Sequence, residues 1–389
     1  MGLAGKIVLV RVDFNVPMDN GIVMDDTRMM VPLKTVQDLR NRGAKVVLMS
    51  HLGKTSNEDK ISSLKPLIPT IEKIYGCPVI FVENYLEEGT RNFINEIPQN
   101  NLILFENLRF YKQEEECDIE FAKKIASLGD VFVNEAFSVS HRKHASVFGI
   151  PQFLPSILGE YFKKEIKNIE TFFSKKSGKR MAIIGGSKLS TKIKLLKKLV
   201  SKVDKLALGG GIAGAFLSYL GNKFLTISDL GEYASDVEEI MDNAKKFRCE
   251  LIVPTDFSAL ISANHDNAII RSNDSNISVF DIGPDSVDLF KEHIVNSNMV
   301  LWNGPLGLFE CSPFEFGTKA IAEFIAERTQ KYGLISIIGG GDTGFAMKKF
   351  NVADKVTSIS TAGGAFLTYI EDEDCPALEA MRISRKNFC

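Results

Sequence analysis

Four arginines in the first half of the chain, Arg11, Arg28, Arg109 and Arg142, lie at or just beyond the ends of short apolar runs. His51, Lys54, His141 and His144 occupy comparable places, in the segments RVDFN (Arg11 to Asn15), SHLGK (Ser50 to Lys54), ENLRF (Glu106 to Phe110) and NEAFSVSHRKH (Asn134 to His144). A guanidinium is a planar fork of donors that meets a carboxylate or phosphate two bonds at a time, so several converging on one edge suit a small, multiply charged anion. Asp13 and Asn15 add an acceptor and an amide suited to a substrate hydroxyl. Taken singly, each arginine also reads as an ordinary solvated loop tip; recurrence at equivalent positions favours a site. The histidines lack metal-ligand spacing and no Ser-His-Asp or Cys-His arrangement is readable, so covalent catalysis is not the first choice.

The apolar runs of the second half end in glycine instead: IIGGSK, LALGGG, IIGGGDTG and STAGG. Two stretches, Gly209 to Gly214 and Gly339 to Gly344, satisfy the spacing G-x-G-x-x-G, and Asp229 lies at a distance suited to a ribose contact, so a dinucleotide site is one reading. Tight packing of strand against helix is the other. In Gly185 to Lys192, GGSKLSTK, two lysines four apart fall on one face of an opening helix beside a glycine turn. The segment lacks the G-x-x-x-x-G-K-[ST] spacing of a Walker loop. Asp342, in a glycine loop that opens a helix, can hold Mg²⁺ that bridges nucleotide phosphates, or can serve as a plain N-cap. Hydride transfer needs neither the lysines nor such a carboxylate, which turns the glycine blocks toward phosphoryl chemistry.

The elements that must carry these residues alternate. Strand-like runs KIVLVRV, AKVVLMS, PVIFV, NLILF and DVFVN are separated by helical stretches over Lys34 to Arg42, Leu64 to Tyr75 and Phe121 to Leu128. Prolines break the rhythm in GIPQFLPS (Gly149 to Ser156), and Glu160 to Phe173 follows as a polar connecting helix. Alternation resumes with MAIIGG, KLALGGG, ELIVPTD, NMVLWNGP, LISIIGGG and KVTSIS, with helices over Ile193 to Val203, Glu238 to Phe247 and Thr318 to Gln330. The expected class is α/β: two doubly wound, Rossmann-like parallel-sheet domains joined by a helical hinge. The boundaries expected are 1–155 and 156–370, with 371–389, acidic at its head and basic at its tail, returning to the N-terminal domain as a helix or fraying.

A chain of 389 residues exceeds one ordinary core and fits two domains. A net charge of −2 with 25% charged residues gives no broad polyanion-binding surface, which disfavours nucleic acid. The six cysteines have no CxxC or metal-type spacing and read as reduced thiols of a cytoplasmic protein. Lys6, Arg11 and Asp13 interrupt the N-terminus, so neither a signal peptide nor a membrane span is expected, and Lys at position 6 breaks the myristoylation pattern.

Taken together, RVDFNVP, SHLGK, ENLRF, the SHR of Ser140 to Arg142, GGSKLSTK, LWNGPLGLFE (Leu301 to Glu310), GGGDT and TAGGA resemble phosphoglycerate kinase, in the family order over essentially the whole chain. The resemblance implies a monomeric, cytoplasmic, hinge-bending enzyme of glycolysis and gluconeogenesis. It would move a phosphoryl group reversibly between 1,3-bisphosphoglycerate and ADP, giving 3-phosphoglycerate and ATP, with Mg²⁺. By the same carry-over, Asp13, Phe14, Asn15, Arg28, His51, Leu52, Gly53, Lys54, Arg109 and Arg142 bind the phosphoglycerate. Lys188, Lys192, Asn303, Gly340, Gly341 and Thr343 serve the nucleotide phosphates, Gly209, Gly210, Gly211 and Pro305 the adenine, and Glu310 the ribose. Asp342 ligates Mg²⁺, while Arg28, Lys192, Gly363 and Gly364 act on the transferring group. Three positions depart from the family: Lys54 replaces an arginine, Ser138 a glycine and Ala362 the first glycine of a triplet.

Overall fold

The computed structural model describes residues 2–53, 62–174, 178–221, 230–261, 266–270 and 278–388. In chain order the first elements are β1 (Ile7–Arg11), β2 (Met18–Asp19), β3 (Ile22–Val23), α1 (Thr27–Met30), α2 (Leu33–Asn41), β4 (Lys45–Met49), α3 (Ile68–Tyr75), β5 (Val79–Val82), α4 (Thr90–Glu96), β6 (Leu102–Phe105), α5 (Lys112–Glu115), α6 (Ile119–Ala126), β7 (Val131–Asn134), β8 (Ser156–Leu158) and α7 (Glu160–Phe173). They are followed by β9 (Arg180–Ile184), α8 (Ile193–Leu199), β10 (Lys205–Leu208), α9 (Gly210–Tyr219), α10 (Leu230–Phe247), β11 (Glu250–Ile252), β12 (Phe257–Ile261), β13 (Asp266–Ile270), β14 (Ser278–Ile282), α11 (Pro284–Val295), β15 (Met299–Asn303), α12 (Phe316–Tyr332), β16 (Ile335–Gly339), α13 (Gly341–Lys349), β17 (Ser358–Ser360), α14 (Gly364–Asp372) and α15 (Pro376–Phe388). Contacts divide the chain into unit 1, Met1–Ile166 with Asp372–Cys389, and unit 2, Lys167–Glu371.

Unit 1 holds a six-stranded sheet of order β5-β6-β4-β1-β7-β8, parallel at every pairing. Both faces are buried, as a parallel sheet under helices requires. Val8 and Val10 of β1 point into one core with Val46, Leu48 and Val133. Ile7 and Leu9 enter the other with Val47, Ile103 and Phe132. The chain leaves β1 toward β4 on one side and returns to β7 on the other, so order reverses about β1, where a doubly wound sheet forms its crevice. The C-terminal segment packs on this unit: the Ser384 hydroxyl donates to the Leu154 carbonyl at 2.8 Å and the Ala377 amide to the Ser140 carbonyl at 3.2 Å.

Unit 2 repeats the design with the order β11-β10-β9-β15-β16-β17, again parallel throughout. Its order reverses between β9 and β15. A three-stranded sheet, β13-β12-β14, is antiparallel and stands outside this pattern. Trp302 of β15 is fully buried in the unit 2 core with Met181, Ile183 and Ile338, and its indole N–H donates to the Gly304 carbonyl at 2.8 Å.

As Trp302 is the only tryptophan, indole fluorescence reports on unit 2 alone. Urea unfolding followed by this signal should coincide with loss of the unit 2 core. A Trp302→Phe variant, followed by circular dichroism, should lose about 1–3 kcal/mol of stability, and an unshifted midpoint would show that the indole packing contributes nothing.

Candidate functional site

In unit 1 the chemically equipped residues gather at the carboxyl ends of four neighbouring strands, β6, β4, β1 and β7. Arg28, on α1, holds its Nη1 3.2 Å from Asp13 Oδ2 and donates to the Asn15 carbonyl at 2.9 Å. Asp13 also accepts the Asn15 amide at 3.1 Å and the Ser138 hydroxyl. The Asn15 side-chain oxygen accepts the Gly53 amide at 3.0 Å, and the Gly53 carbonyl accepts Arg109 Nη1. Arg109 is buried, with Nε 3.2 Å from Glu115. One connected set therefore joins Asp13, Asn15, Arg28, Gly53, Arg109 and Ser138. Arg142 is exposed on the turn after β7, its Nε 3.4 Å from His141 Nε2. The side chains of Phe14 and Leu52 lie in the core, so these two positions offer backbone only. Lys54 lies outside the described residues.

Burial and the neighbouring arginines keep the histidines neutral. His51 falls well below its usual range through burial first, then Arg11, Arg109, Arg142 and Arg28. Burial and Arg142 push His141 down to about 4; burial, with Arg11 first among the charges, pushes His144 to about 3. The positive charge of the rim thus resides on guanidinium groups, with neutral imidazoles as hydrogen-bonding partners.

In unit 2 the equivalent strand ends belong to β10, β9, β15 and β16, astride the reversal between β9 and β15. The two central loops run against each other: the Gly185 amide donates to the Asn303 carbonyl at 2.9 Å and the Gly186 amide to the Pro305 carbonyl at 3.0 Å. A Cβ on Gly185 would collide with the Pro305 carbonyl oxygen, so the approach demands glycine. Lys192 Nζ donates to Asn303 Oδ1, Asn303 Nδ2 to the Gly339 carbonyl at 2.8 Å, and the Gly304 amide to the Thr343 hydroxyl at 2.7 Å. Burial brings Lys192 down to about 8 against the opposing pull of Glu371 and Asp342.

Lys188 and Lys192 do not share the face of an opening helix, as their spacing suggests. Leu189–Thr191 forms a 3₁₀ turn and α8 starts only at Ile193. The Thr191 hydroxyl bonds the Lys188 carbonyl at 2.9 Å, a local side-chain bond that competes with α-helical pairing. The lysines therefore bracket a turn, Lys188 exposed and Lys192 half-buried. Asp342 is not the N-cap of α13: Gly340 is, which leaves the exposed Asp342 carboxylate in the first turn.

Two adjoining cavities open here. One, of about 330 Å³, is lined by Lys188, Lys192, Asn303, Asp342, Thr343 and Gly363 among others. Its neighbour, of about 390 Å³, includes Gly211, Phe257, Phe280, Pro305 and Glu310 in its lining. Gly186, Ser187, Pro305 and Asp342 border both. The first is a cradle of cations and backbone; the second has apolar walls suited to a flat ring. Gly209 pairs with the Ile184 carbonyl at 2.9 Å behind them, Gly340 and Gly341 line the cradle, and Gly364 opens α14. Among the described residues no group of three or more His, Cys, Asp or Glu could hold a metal by itself. A single exposed carboxylate beside a cradle of lysine and backbone donors nevertheless fits Mg²⁺, which takes one or two carboxylates and fills its remaining positions with phosphate oxygens and water.

The family model for phosphoglycerate kinase matches residues 1–373. The chain belongs to the phosphoglycerate kinase family. It is a phosphotransferase of that family. A phosphoglycerate kinase of Wolbachia pipientis from Culex pipiens is 40% identical over 385 residues, 96% of each chain. One from Bartonella bacilliformis is 39% identical over 390 residues, 99% of this chain and 98% of its own. The solved phosphoglycerate kinase of Coxiella burnetii superposes with a TM-score of 0.86 at 33% identity, over 100% of this chain and 98% of that one. That of Pyrococcus horikoshii gives 0.85 at 27% identity with the same coverage.

Phe257, Phe280 and Asp281 line the apolar cavity, yet no motif marks them in the sequence. Asp281 is 2% exposed, and it accepts the amides of Gly317 at 2.6 Å and Ile282 at 2.9 Å. Burial nevertheless raises its carboxyl to about 7. A carboxyl raised in the folded state stabilises most when protonated, and that contribution is lost as pH rises through about 7. Relative to Asp281→Asn, the wild-type protein should gain on the order of 1 kcal/mol per pH unit as pH falls from 7 toward 5. Thermal melts of both proteins across that window give the comparison; parallel curves would show that Asp281 ionises normally.

Proposed function

We propose that the chain catalyses reversible, Mg²⁺-dependent phosphoryl transfer between 1,3-bisphosphoglycerate and ADP, giving 3-phosphoglycerate and ATP. The observation that carries this reading is the pairing, within one chain of the family, of two complementary sites at switch points of two sheets. One is a rim of guanidinium groups with Asp13 and Asn15; the other is a cradle of lysine and backbone bordered by Asp342 beside an apolar slot. Phosphoryl transfer asks little covalent work of a protein, so aligned charge is the greater part of catalysis.

In this reading Arg109, Arg142, Lys54 and His51 hold the phosphoglycerate, with Asp13 and Asn15 on its hydroxyl and the backbone at Phe14, Leu52 and Gly53 shaping the rim. Arg28 neutralises charge on the transferring group. Lys188, Lys192, Asn303 and Thr343 cradle the nucleotide phosphates, the loop at Gly209 to Gly211 and Pro305 meets the adenine, and Glu310 the ribose. Asp342 would hold Mg²⁺, which supplies charge neutralisation across the nucleotide phosphates when bound. The backbone at Gly340, Gly341, Gly363 and Gly364 completes the phosphate side. Ligands held on separate units must be brought together and shielded from water, because an acyl phosphate hydrolyses readily. We assign that hinge motion to α7 and the stretch at Thr361 to Gly364. Both sites draw on one chain, in keeping with a working monomer, and the free thiols of Cys77, Cys117, Cys249, Cys311 and Cys375 accord with a cytoplasmic glycolytic enzyme.

A coupled assay supplying ATP and 3-phosphoglycerate should release ADP only when Mg²⁺ is present; release without 3-phosphoglycerate, or none at all, would overturn the reading. Arg28→Ala should lower kcat by about a hundredfold or more while the KM for ATP stays within about twofold, and equal loss in both would remove Arg28 from the transfer step.

Lys192 gives a pH test. Nucleotide phosphates favour its ammonium form, and the free protein loses that proton near pH 8. The dissociation constant for ADP should therefore climb up to about tenfold per pH unit above that point, whereas Lys192→Arg should flatten the rise. Calorimetric titrations between pH 7 and 9.5 decide it, and an identical rise in the variant would exclude Lys192 as the titrating group.

A further inference from the structure

Behind the anion rim of unit 1 lies a carboxylate that the chemistry above leaves unused. Glu114 of α5 is 1% exposed. Its Oε2 accepts the Ser146 amide at 2.9 Å and its Oε1 the Ser146 hydroxyl at 2.5 Å. Because the hydroxyl donates its hydrogen bond to Glu114, its lone pairs are left for Arg11, whose Nε donates to it at 2.9 Å. Arg11, also 1% exposed, directs Nη1 to the Val12 carbonyl and Nη2 to Nδ1 of His51 at 3.2 Å. A guanidinium can only donate, so His51 Nδ1 is the acceptor. The neutral imidazole then carries its proton on Nε2, which makes that nitrogen a donor to an anion.

We propose that Glu114 is a positioning residue: through Ser146 it fixes Arg11, and through Arg11 it sets the ring and tautomer of His51 for a phosphorylated carboxylic acid held at the rim. The inference rests on the function proposed above and adds to it a group that touches no ligand. Charge explains why the chain of bonds needs a carboxylate at its far end. Arg109 and Arg142 oppose the charge of buried Arg11, and Glu114 is the largest favourable charge acting on it. A buried guanidinium without such a partner is costly, and removing one member of a buried pair strands the other. Asp13 is the second favourable charge on Arg11, but it is shared with Arg28, Asn15 and Ser138. His144 Nδ1 stands 3.8 Å from Glu114, and as a neutral ring it leaves the carboxylate to Arg11 and Ser146.

Glu114→Gln keeps an acceptor for Ser146 and removes the charge; Ser146→Ala breaks the link and leaves the charge. In the full chain, each should raise the KM and the calorimetric dissociation constant for 3-phosphoglycerate by roughly tenfold, with the KM for ATP within about twofold. The double variant should be no worse than the poorer single one, since both act on one chain of bonds. Nitrogen-15 shifts of the His51 ring should report Nε2–H in the wild type and mixed tautomers in both variants. Unchanged 3-phosphoglycerate affinity in a folded variant, or equal weakening of both substrates, overturns the proposal. Should Glu114→Gln fail to fold, Ser146→Ala carries the decision. If the wild type itself neither binds nor turns over 3-phosphoglycerate, the function proposed above fails, whereas a wild type that does both beside unaffected variants sinks the role of Glu114 alone.

Discussion

Like charges crowded at one rim set the terms for the whole of unit 1. Arg11, Arg28, Arg109 and Arg142 each act on His51, and their mutual repulsion, added to the cost of burying Arg11 and Arg109, calls for compensation. Compensation takes three forms. Asp13 and Glu115 pair with Arg28 and Arg109 directly. Glu114 supplies a buried counter-charge through Ser146. The three histidines, held below their usual range, stay neutral and add no positive charge to the rim. A rim balanced in this way keeps donors in excess over acceptors, which is the condition for taking up a multiply charged anion.

Unit 2 meets a related demand with little side-chain charge. Its strand ends approach so closely that the β9 and β15 loops hydrogen-bond backbone to backbone. Glycine there costs conformational entropy on folding but lets main-chain groups reach what a side chain would cover. Positive charge enters chiefly at Lys188 and Lys192, and the burial that brings Lys192 within reach of Asn303 also weakens its hold on its proton. The two units thus share a topology and differ in what their strand ends present, guanidinium groups in one and backbone in the other.

That contrast was legible in the sequence because strand-end chemistry is local: a β-branched run followed by charge or glycine lies within one short segment. The long buried strands β1, β4, β9, β15 and β16 were equally plain, since parallel strands covered on both faces read as continuous apolar runs. What escaped was either short or assembled from distant parts. Strand β8 is three residues long and follows directly on the second proline of PQFLPSIL, and the antiparallel sheet of β12 to β14 departs from the alternating rhythm by which the other strands are recognised. Asp281 and Phe280 sit in a strand with no motif, and their part in the cavity depends on Gly317 and Pro305, which lie well down the chain. The Glu114–Ser146–Arg11 link spans 135 positions and offers no pattern to read. The lysine pair of GGSKLSTK shows the converse error: spacing alone implies a helix face, while Leu189–Thr191 forms a 3₁₀ turn between the two lysines.

The departures from the family pattern become intelligible on the same grounds. Glycine is indispensable only where the backbone has positive φ or where a Cβ has no room. Neither Ser138 nor Ala362 has positive φ, whereas Gly363, the next residue along, does at 53°. The permissive conformation therefore belongs to the glycine that is retained. Ala362 is 3% exposed, so its methyl is covered by protein, and it is not among the residues that line the cavity at Lys188 and Lys192. Ser138 does more than fit: its hydroxyl donates to Asp13, the carboxylate that also holds Arg28. A serine here adds a donor to an aspartate already bound to a guanidinium, and so tightens the hold on that carboxylate.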